Sequence, residues 1–451
     1  MMGGKKEIEE RKNNSHKNNT FFKEIYVISS AQAIQSEKHA KKYGRDSSKG
    51  APNINLLEGL VKYCEEKNAN LKILSMAGMT SEIELDDYFY KEIEEKEKGE
   101  ILYTMREKEK LLNSNIKISG MTEPPQNIDI PKSRDRFVQG DRSVVMAFSK
   151  QRLRCVPTGN RKFPKLITTT GSCTFPNYNI NRDNPSGNRR ADIALRDHQY
   201  GAIVVEIINS SDYNVRHLPS QADGKFVDMG MKFDGRKKPK KVEVEALALG
   251  DLHVGETDEI TMQANYEMID FFKPKRLFIH DLANSQSINP HEKDDYISKA
   301  IRARFGKLNL KDELEEYYDV LCELSKAMKK GNIFVVPSNH DNFIYRYLAS
   351  GEFIRDPINA VIGADLFKIG AMCRDPAEAM NVVVEEGINK IGELPENINF
   401  LRFEDDYKIW GYQFANHGHL GHSGGKGSIK SQEEMYGKTV SAHTHSPEVL
   451  R

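Results

Sequence analysis

The sequence predicts an α/β protein built in two successive halves, and three observations carry that prediction. First, four apolar runs in the second half stop abruptly at polar, metal-capable residues. Leu247-Ala248-Leu249 ends at Gly250-Asp251-Leu252-His253, and 276–279 runs into His280-Asp281. Likewise 333–337 runs into Asn339-His340-Asp341, and 438–441 into His443-Thr444-His445. Secondly, long amphipathic segments alternate with these runs. Thirdly, the first half opens as strand, helix, strand, the pattern of a βαβ unit. A short apolar run bounded by glycine reads as a parallel-sheet strand, and open sheets of that kind bind ligands at their carboxyl edge.

Residues 1–20 are polar and lysine-rich without an apolar core, so they read as a disordered lead-in and not as a secretory signal. The first strand is predicted at 24–29, entering Ser30-Ala31-Gln32, and a polar loop covers 38–49. Leu56, Leu57, Leu60, Val61 and Cys64 recur at helical spacing, and 71–76 predict a second strand. Residues 84–112 are dense in Glu and Lys with sparse apolar positions, which predicts an exposed helix. Past Pro124-Pro125, strands are predicted at 143–148, 165–170 and 201–208, the last central and buried. Between them, 171–190 is rich in Asn, Gly, Pro and Arg and predicts a long loop. These elements make an α/β amino-terminal domain over 21–235.

Asp234-Gly235 is a turn signal, and the basic, proline-interrupted run Arg236-Lys237-Lys238-Pro239-Lys240-Lys241 reads as a linker over 236–241. The second domain takes 242–451. Within it, 257–272 predicts a helix with Ile260, Ala264, Met268 and Phe271 on one side. Residues 312–330 place Leu314, Tyr317, Leu321, Leu324 and Met328 on one face, and 375–391 open with Asp-Pro, a good helix start.

Composition narrows the function classes. At 451 residues the chain is long enough for two or three cores. Lys plus Arg and Asp plus Glu both number 66, so no global charge draws it to nucleic acid or to a membrane. Any polyanion binding must come from local patches. The five cysteines are scattered, odd in number and never in a CxxC pair, which argues for a reducing, cytoplasmic setting. No apolar run approaches the roughly 20 residues of a membrane span.

Taken together, Asp251, His253, Asp281, Asn339, His340, His417, His443 and His445 offer carboxylate, amide and imidazole groups with no thiolate. That mixed set suits Mn²⁺, Fe or Zn²⁺ rather than a structural zinc site. It over-supplies one ion but not two sharing a bridging carboxylate. Two ions about 3.5–4 Å apart can neutralise phosphate oxygens and stabilise an in-line displacement. Loading needs deprotonated ligands, so activity is expected to fall on acidification.

Gly250-Asp251-Leu252-His253, His280-Asp281, Ser338-Asn339-His340-Asp341, His417-Gly418 and Ala442-His443-Thr444-His445 resemble the five ordered motifs of the calcineurin-like metallophosphoesterases. The resemblance covers about 242–451 and implies a four-layer fold, two β-sheets packed face to face between helices. It implies two divalent metal ions, Mn most readily, with Mg, Fe or Zn as alternatives. Asp251, His253 and His445 would hold the first, Asn339, His417 and His443 the second, and Asp281 would bridge them. His340 would assist the leaving oxygen, oriented by Asp341. Three departures stand out: His280, Ser338 and Ala442 replace family glycines, the arginine-bearing motif of the protein phosphatases is absent, and further strands would be expected beyond Arg451. His280 beside the bridging position could touch substrate.

The segment 416–430 adds His419, His422, Lys426 and Lys430 among glycines, a flexible loop able to contact phosphate. With the amino-terminal half, the arrangement is similar to the early-expressed DNA-degrading nucleases of certain large tailed phages. That resemblance implies a metal-dependent DNase using a metal-bridging hydroxide, acting in the host cytoplasm as a homo-oligomer, with DNA as partner and no membrane. The alternative is a small-molecule phosphatase or cyclic-nucleotide phosphodiesterase, and a third class is a binding protein with a vestigial site.

Overall fold

The computed structural model describes residues 24–450 except 36, 38–39, 42–43, 45, 79–83, 105–108, 123–137, 139–141, 159–164, 179–184, 422–424 and 426. The expected lead-in at 1–20 therefore lies outside the described residues, as do His422 and Lys426. The chain forms two compact units: Met1–Val242 with Ser446–Arg451, and Glu243–His445. Residues 446–450 thus fall with the first unit.

The first unit opens with β1 (Glu24–Gln32), α1 (Ile54–Lys67) and β2 (Asn70–Met76). β1 and β2 are parallel, as the βαβ pattern requires. The Asn53 side chain accepts from the Leu56 amide and starts α1, whose Leu56, Leu57, Leu60, Tyr63 and Cys64 are buried. Residues 84–112 are not one exposed helix. They form a short turn over Phe89–Glu94 that buries Phe89 and Ile93, then β3 (Glu100–Leu102) and β4 (Lys110–Leu111). Sparse apolar positions were enough to anchor the segment, and strand pairing overrode its helical composition.

β5 (Ile116–Thr122), β6 (Ser143–Ala147), β7 (Arg152–Val156) and β8 (Lys165–Thr169) follow. After them come α2 (Pro185–Arg196), β9 (Tyr200–Ile207), β10 (Tyr213–Ser220), β11 (Phe226–Asp228), β12 (Met231–Phe233) and β13 (Lys240–Lys241). Eight strands make one mixed sheet in the order β13-β12-β11-β10-β9-β1-β2-β3. β9 is central and nearly all buried. The expected linker at 236–241 is a turn followed by the edge strand of this sheet, because Lys240 and Lys241 pair back onto β12.

The second unit carries β14 (Ala246–Asp251), α3 (Glu259–Phe272), β15 (Arg276–His280), α4 (Tyr296–Arg304), α5 (Leu310–Met328) and β16 (Asn332–Val336). It continues with α6 (Asp341–Ala349), α7 (Ala360–Ala371), α8 (Pro376–Asn389), β17 (Ile398–Phe400), β18 (Lys408–Ile409), β19 (Tyr412–Gln413) and α9 (Ile429–Tyr436). β14-β15-β16-β17 is an all-parallel sheet, and β18-β19 a two-stranded ribbon. Leu277, Ile279, Ile333 and Val335 join a core with Leu314, Tyr317, Leu321 and Leu324 of α5 and Val383 and Ile388 of α8. A smaller aromatic cluster gathers Phe278, Phe334 and Leu401 with Tyr407 and Phe414. Among the described residues, the unit therefore has one four-stranded sheet and a ribbon. A final strand, β20 (Val449–Leu450), pairs with β7 to extend a six-stranded sheet of the first unit, β20-β7-β8-β6-β5-β4.

The predicted stripe on α5 is buried in full. On α3 the predicted face is turned the other way. Ile260, Met268 and Phe271 are exposed, while Asn265 and Ile269 are buried with Met262 and Tyr266 packed beside them. Apolar residues lie around most of that helix, so the pattern alone could not choose a side.

Candidate metal centre

Parallel register aligns the carboxyl ends of the second unit's strands, with Asp251 opposite His280 and His280 opposite Val336. Backbone pairing then continues past the strands. The Leu252 amide donates to the His280 carbonyl (3.0 Å) and the His253 amide to the Asp281 carbonyl (2.7 Å). This fixes residues 251–253 alongside 280–281. From a distant loop, the His443 amide donates to both carboxylate oxygens of Asp251, at 3.1 and 3.0 Å.

His253, Asp281, His443 and His445 all have left-handed backbone, with φ of 44°, 44°, 73° and 51°. L-residues rarely adopt it, each at a cost of order 1–3 kcal/mol, and such strain gathers at functional sites.

One ligand atom from each of Asp251, His253, Asp281 and His445 lies within 4.8 Å of the others. His445 Nε2 is 3.1 Å from Asp251 Oδ2, and His253 Nε2 is 3.5 Å from Asp281 Oδ2 and 3.2 Å from His445 Nε2. The same Asp281 oxygen is 3.2 Å from His417 Nε2, while His417 Nδ1 is 3.7 Å from Asp251 Oδ1. The His417 and His443 ring centres are 5.2 Å apart. Asp281 thus stands between two sets of imidazoles.

The donor chemistry fits divalent cations. His253 Nδ1, Asp281 Oδ1, Asn339 Oδ1 and both His417 nitrogens are buried and make no aligned hydrogen bond. Buried polar atoms are normally satisfied, and open atoms on His253, Asp281 and His417, whose side chains lie within 3.5 Å of one another through Asp281, suit a cation. Electrostatics keeps the set ready to bind. Burial raises the Asp281 carboxyl, but close contact with His417 outweighs it and holds the group well below the usual carboxylate range. Burial also pushes His253 and His443 down, toward the neutral form a metal needs.

His340 lies against His253, ring centres 4.6 Å apart. Its orientation differs from the expectation. Asp341 does not orient it: Asp341 Oδ2 accepts from the Ser338 amide (2.9 Å) at the start of α6. Burial, then the charge of Asp281, pushes Asp341 up to about 6. The partner of His340 Nδ1 is instead the Asn284 carbonyl at 3.0 Å. Asn284 was missed because nothing but closeness to Asp281 marks it in the sequence. Together with Asp251, His253, Glu256, His340 and His445 it lines an open cleft of about 610 Å³.

The remaining candidates divide. His280 is 1% exposed, with neither ring nitrogen partnered, and burial pushes it down to about 3. It packs beside His417, ring centres 5.8 Å apart, and is not among the described residues that line this cleft. The His419 ring centre lies 5.5 Å from that of His417, tilted, and 6.1 Å from that of His443, edge-on, and burial takes it down to about 4. Lys430 is exposed on α9, 3.7 Å from Glu434 one turn on.

Comparison with known proteins finds a phage relative. The chain is 26% identical over 317 residues to Protein A1 of Escherichia phage T5, a match covering 68% of this chain and 55% of that protein. The chain spans about half the length of the curated relative it matches. No protein-family model matches the chain, and no solved structure matches. No described helix is long and apolar enough to cross a membrane.

Proposed function

We propose that the chain is a divalent-metal-dependent phosphodiesterase of a phage, acting on DNA in the host cytoplasm. The observation that carries this reading is the placement of Asp281. One of its oxygens is 3.5 Å from His253 on one side and 3.2 Å from His417 on the other. That is the arrangement a carboxylate shared by two cations requires. Asp251, His253 and His445 would hold one ion, and Asn339, His417 and His443 the other. Divalent cations there would supply Lewis acidity toward phosphate oxygens and acidify water.

The chain's own groups then have separate tasks. Asp251 is fixed by the His443 amide, so the first and last motifs cannot drift apart. His340 Nδ1–H donates to the Asn284 carbonyl, which leaves Nε2 as the nitrogen that, in the imidazolium form, would pass its proton to the departing sugar oxygen. The motif resemblance and the phage relative support the choice of a nuclease.

A second reading has one observation in its favour. Glu256 and Asp258 lie on the cleft wall and would repel a polyanion, which suits a small phosphate ester. The deciding experiment offers DNA and a small phosphomonoester to the purified chain with Mn²⁺. Nucleotide release from DNA is expected. An intact polymer beside a rapidly cleaved monoester would overturn the nuclease reading.

A further inference from the structure

Among the described residues, no lysine or arginine stands on the wall of the candidate cleft, so attraction for a polyanionic chain is sought elsewhere on them. A stretch of the first unit can supply it. Between positions 223 and 241 there are seven basic side chains and three acidic ones. All three acids are already engaged: Asp223 by Lys225 at 2.5 Å, Asp228 by Arg216 at 2.9 Å and Asp234 by Lys237 at 2.8 Å. Arg236 is paired with Glu58 at 2.8 Å. Lys232, Lys238, Lys240 and Lys241 remain, all exposed and without a carboxylate partner among the described residues.

Their positions in the sheet sharpen the point. Lys232 on β12 is directly opposite Lys240 on β13, so both side chains leave the same face. The next residue, Phe233, turns inward to the core of the unit. Like charges directly opposite each other destabilise an antiparallel pair. Lysines on an edge strand do guard against edge-to-edge pairing, and that use would explain Lys240 and Lys241. It does not explain Lys232, which lies on the inner strand, or Lys238, which precedes the edge strand.

We propose that Lys232, Lys238 and Lys240 form a docking surface for a nucleic-acid phosphate backbone. That the polymer is DNA rests on the reading above. A phosphate between Lys232 and Lys240 would turn a repulsive pair into two attractive contacts. Each contact would also release counterions, steepening the salt dependence of log K by about 0.9 per phosphate.

The test measures binding of a labelled DNA duplex to the full chain carrying His340→Ala, across salt concentrations from about 50 to 200 mM. A threefold Lys→Ala variant at 232, 238 and 240 is compared with the threefold Lys→Arg variant, folding being checked by circular dichroism. The alanine variant is expected to bind about tenfold or more weakly at low salt, with a slope shallower by roughly 3. The arginine variant should keep both affinity and slope. An alanine variant with unchanged slope overturns the proposal, and self-association of that variant would mark the lysines as edge guards only. Loss of binding to anionic lipid vesicles, with DNA binding intact, would also overturn it. If the lysines bind DNA but the chain with His340 intact releases no nucleotides with Mn²⁺, the nuclease reading falls and this surface stands. If DNA is cut while the slope is unmoved, only this surface falls.

Discussion

At the scale of single residues, Asp281 and His340 make separable contributions. Asp281→Asn removes the charge at the point shared by both imidazole sets. It should lower divalent-metal content, measured by elemental analysis after dialysis, and activity with it. His340→Ala leaves the ligand set intact, so metal content should hold while turnover falls by about 10²–10⁴. Equal metal loss in both variants would remove His340 from the proton-transfer role. In the first unit, His198 is a pH probe away from the metal centre. Its Nδ1 meets Tyr178 Oη at 2.8 Å and its Nε2 the Thr174 carbonyl at 3.0 Å, and burial pushes it down to about 4. An unfolded histidine titrates near 6.5. The unfolded chain therefore takes up this proton as pH falls below about 6.5, while the folded chain resists until about 4. Stability is complete above that window and lost through it, by roughly 3 kcal/mol. Urea midpoints at pH 7 and 4.5 should fall more steeply for the wild type than for His198→Gln.

At the scale of elements, α5 links core to site. The sequence stripe predicted its buried face, and Tyr317 on that face does more than pack. Its hydroxyl accepts from the amides of Asn284 (3.0 Å) and Ser285 (2.9 Å), bracing the loop that carries Asp281 and presents a carbonyl to His340. Tyr317→Phe keeps the ring but leaves two amides unsatisfied, so it should cost about 1–3 kcal/mol. It should also weaken metal retention, which calorimetric titration with Mn²⁺ would read. Unchanged metal affinity would confine Tyr317 to packing. α3 shows the limit of periodicity: its predicted face is exposed because the helix is apolar on more than one side, and packing against α5 chose the side of Ile269.

At the scale of the whole molecule, two compact units and a candidate ligand set confined to one of them predict separate responses to metal removal. Anything that binds only the folded state stabilises it by mass action, about 2.7 kcal/mol at a hundredfold excess over Kd. Differential scanning calorimetry with and without chelator should show one transition moving down and another staying in place. A uniform shift, or none, would contradict metal loading of the Glu243–His445 unit alone.

The sequence by itself determined the α/β class, the βαβ start, the buried stripe of α5 and the Asp251, His253, Asp281 and His445 group able to hold a metal ion, because each leaves a local mark in periodicity or in strand-end chemistry. Only the tertiary structure decided that the Asn284 carbonyl meets His340 Nδ1, that His280 is buried beside His417, and that Lys240 and Lys241 pair back onto β12. These depend on which backbone groups and strand edges are brought together by residues far apart along the chain. Nearest-neighbour pattern carries no record of that.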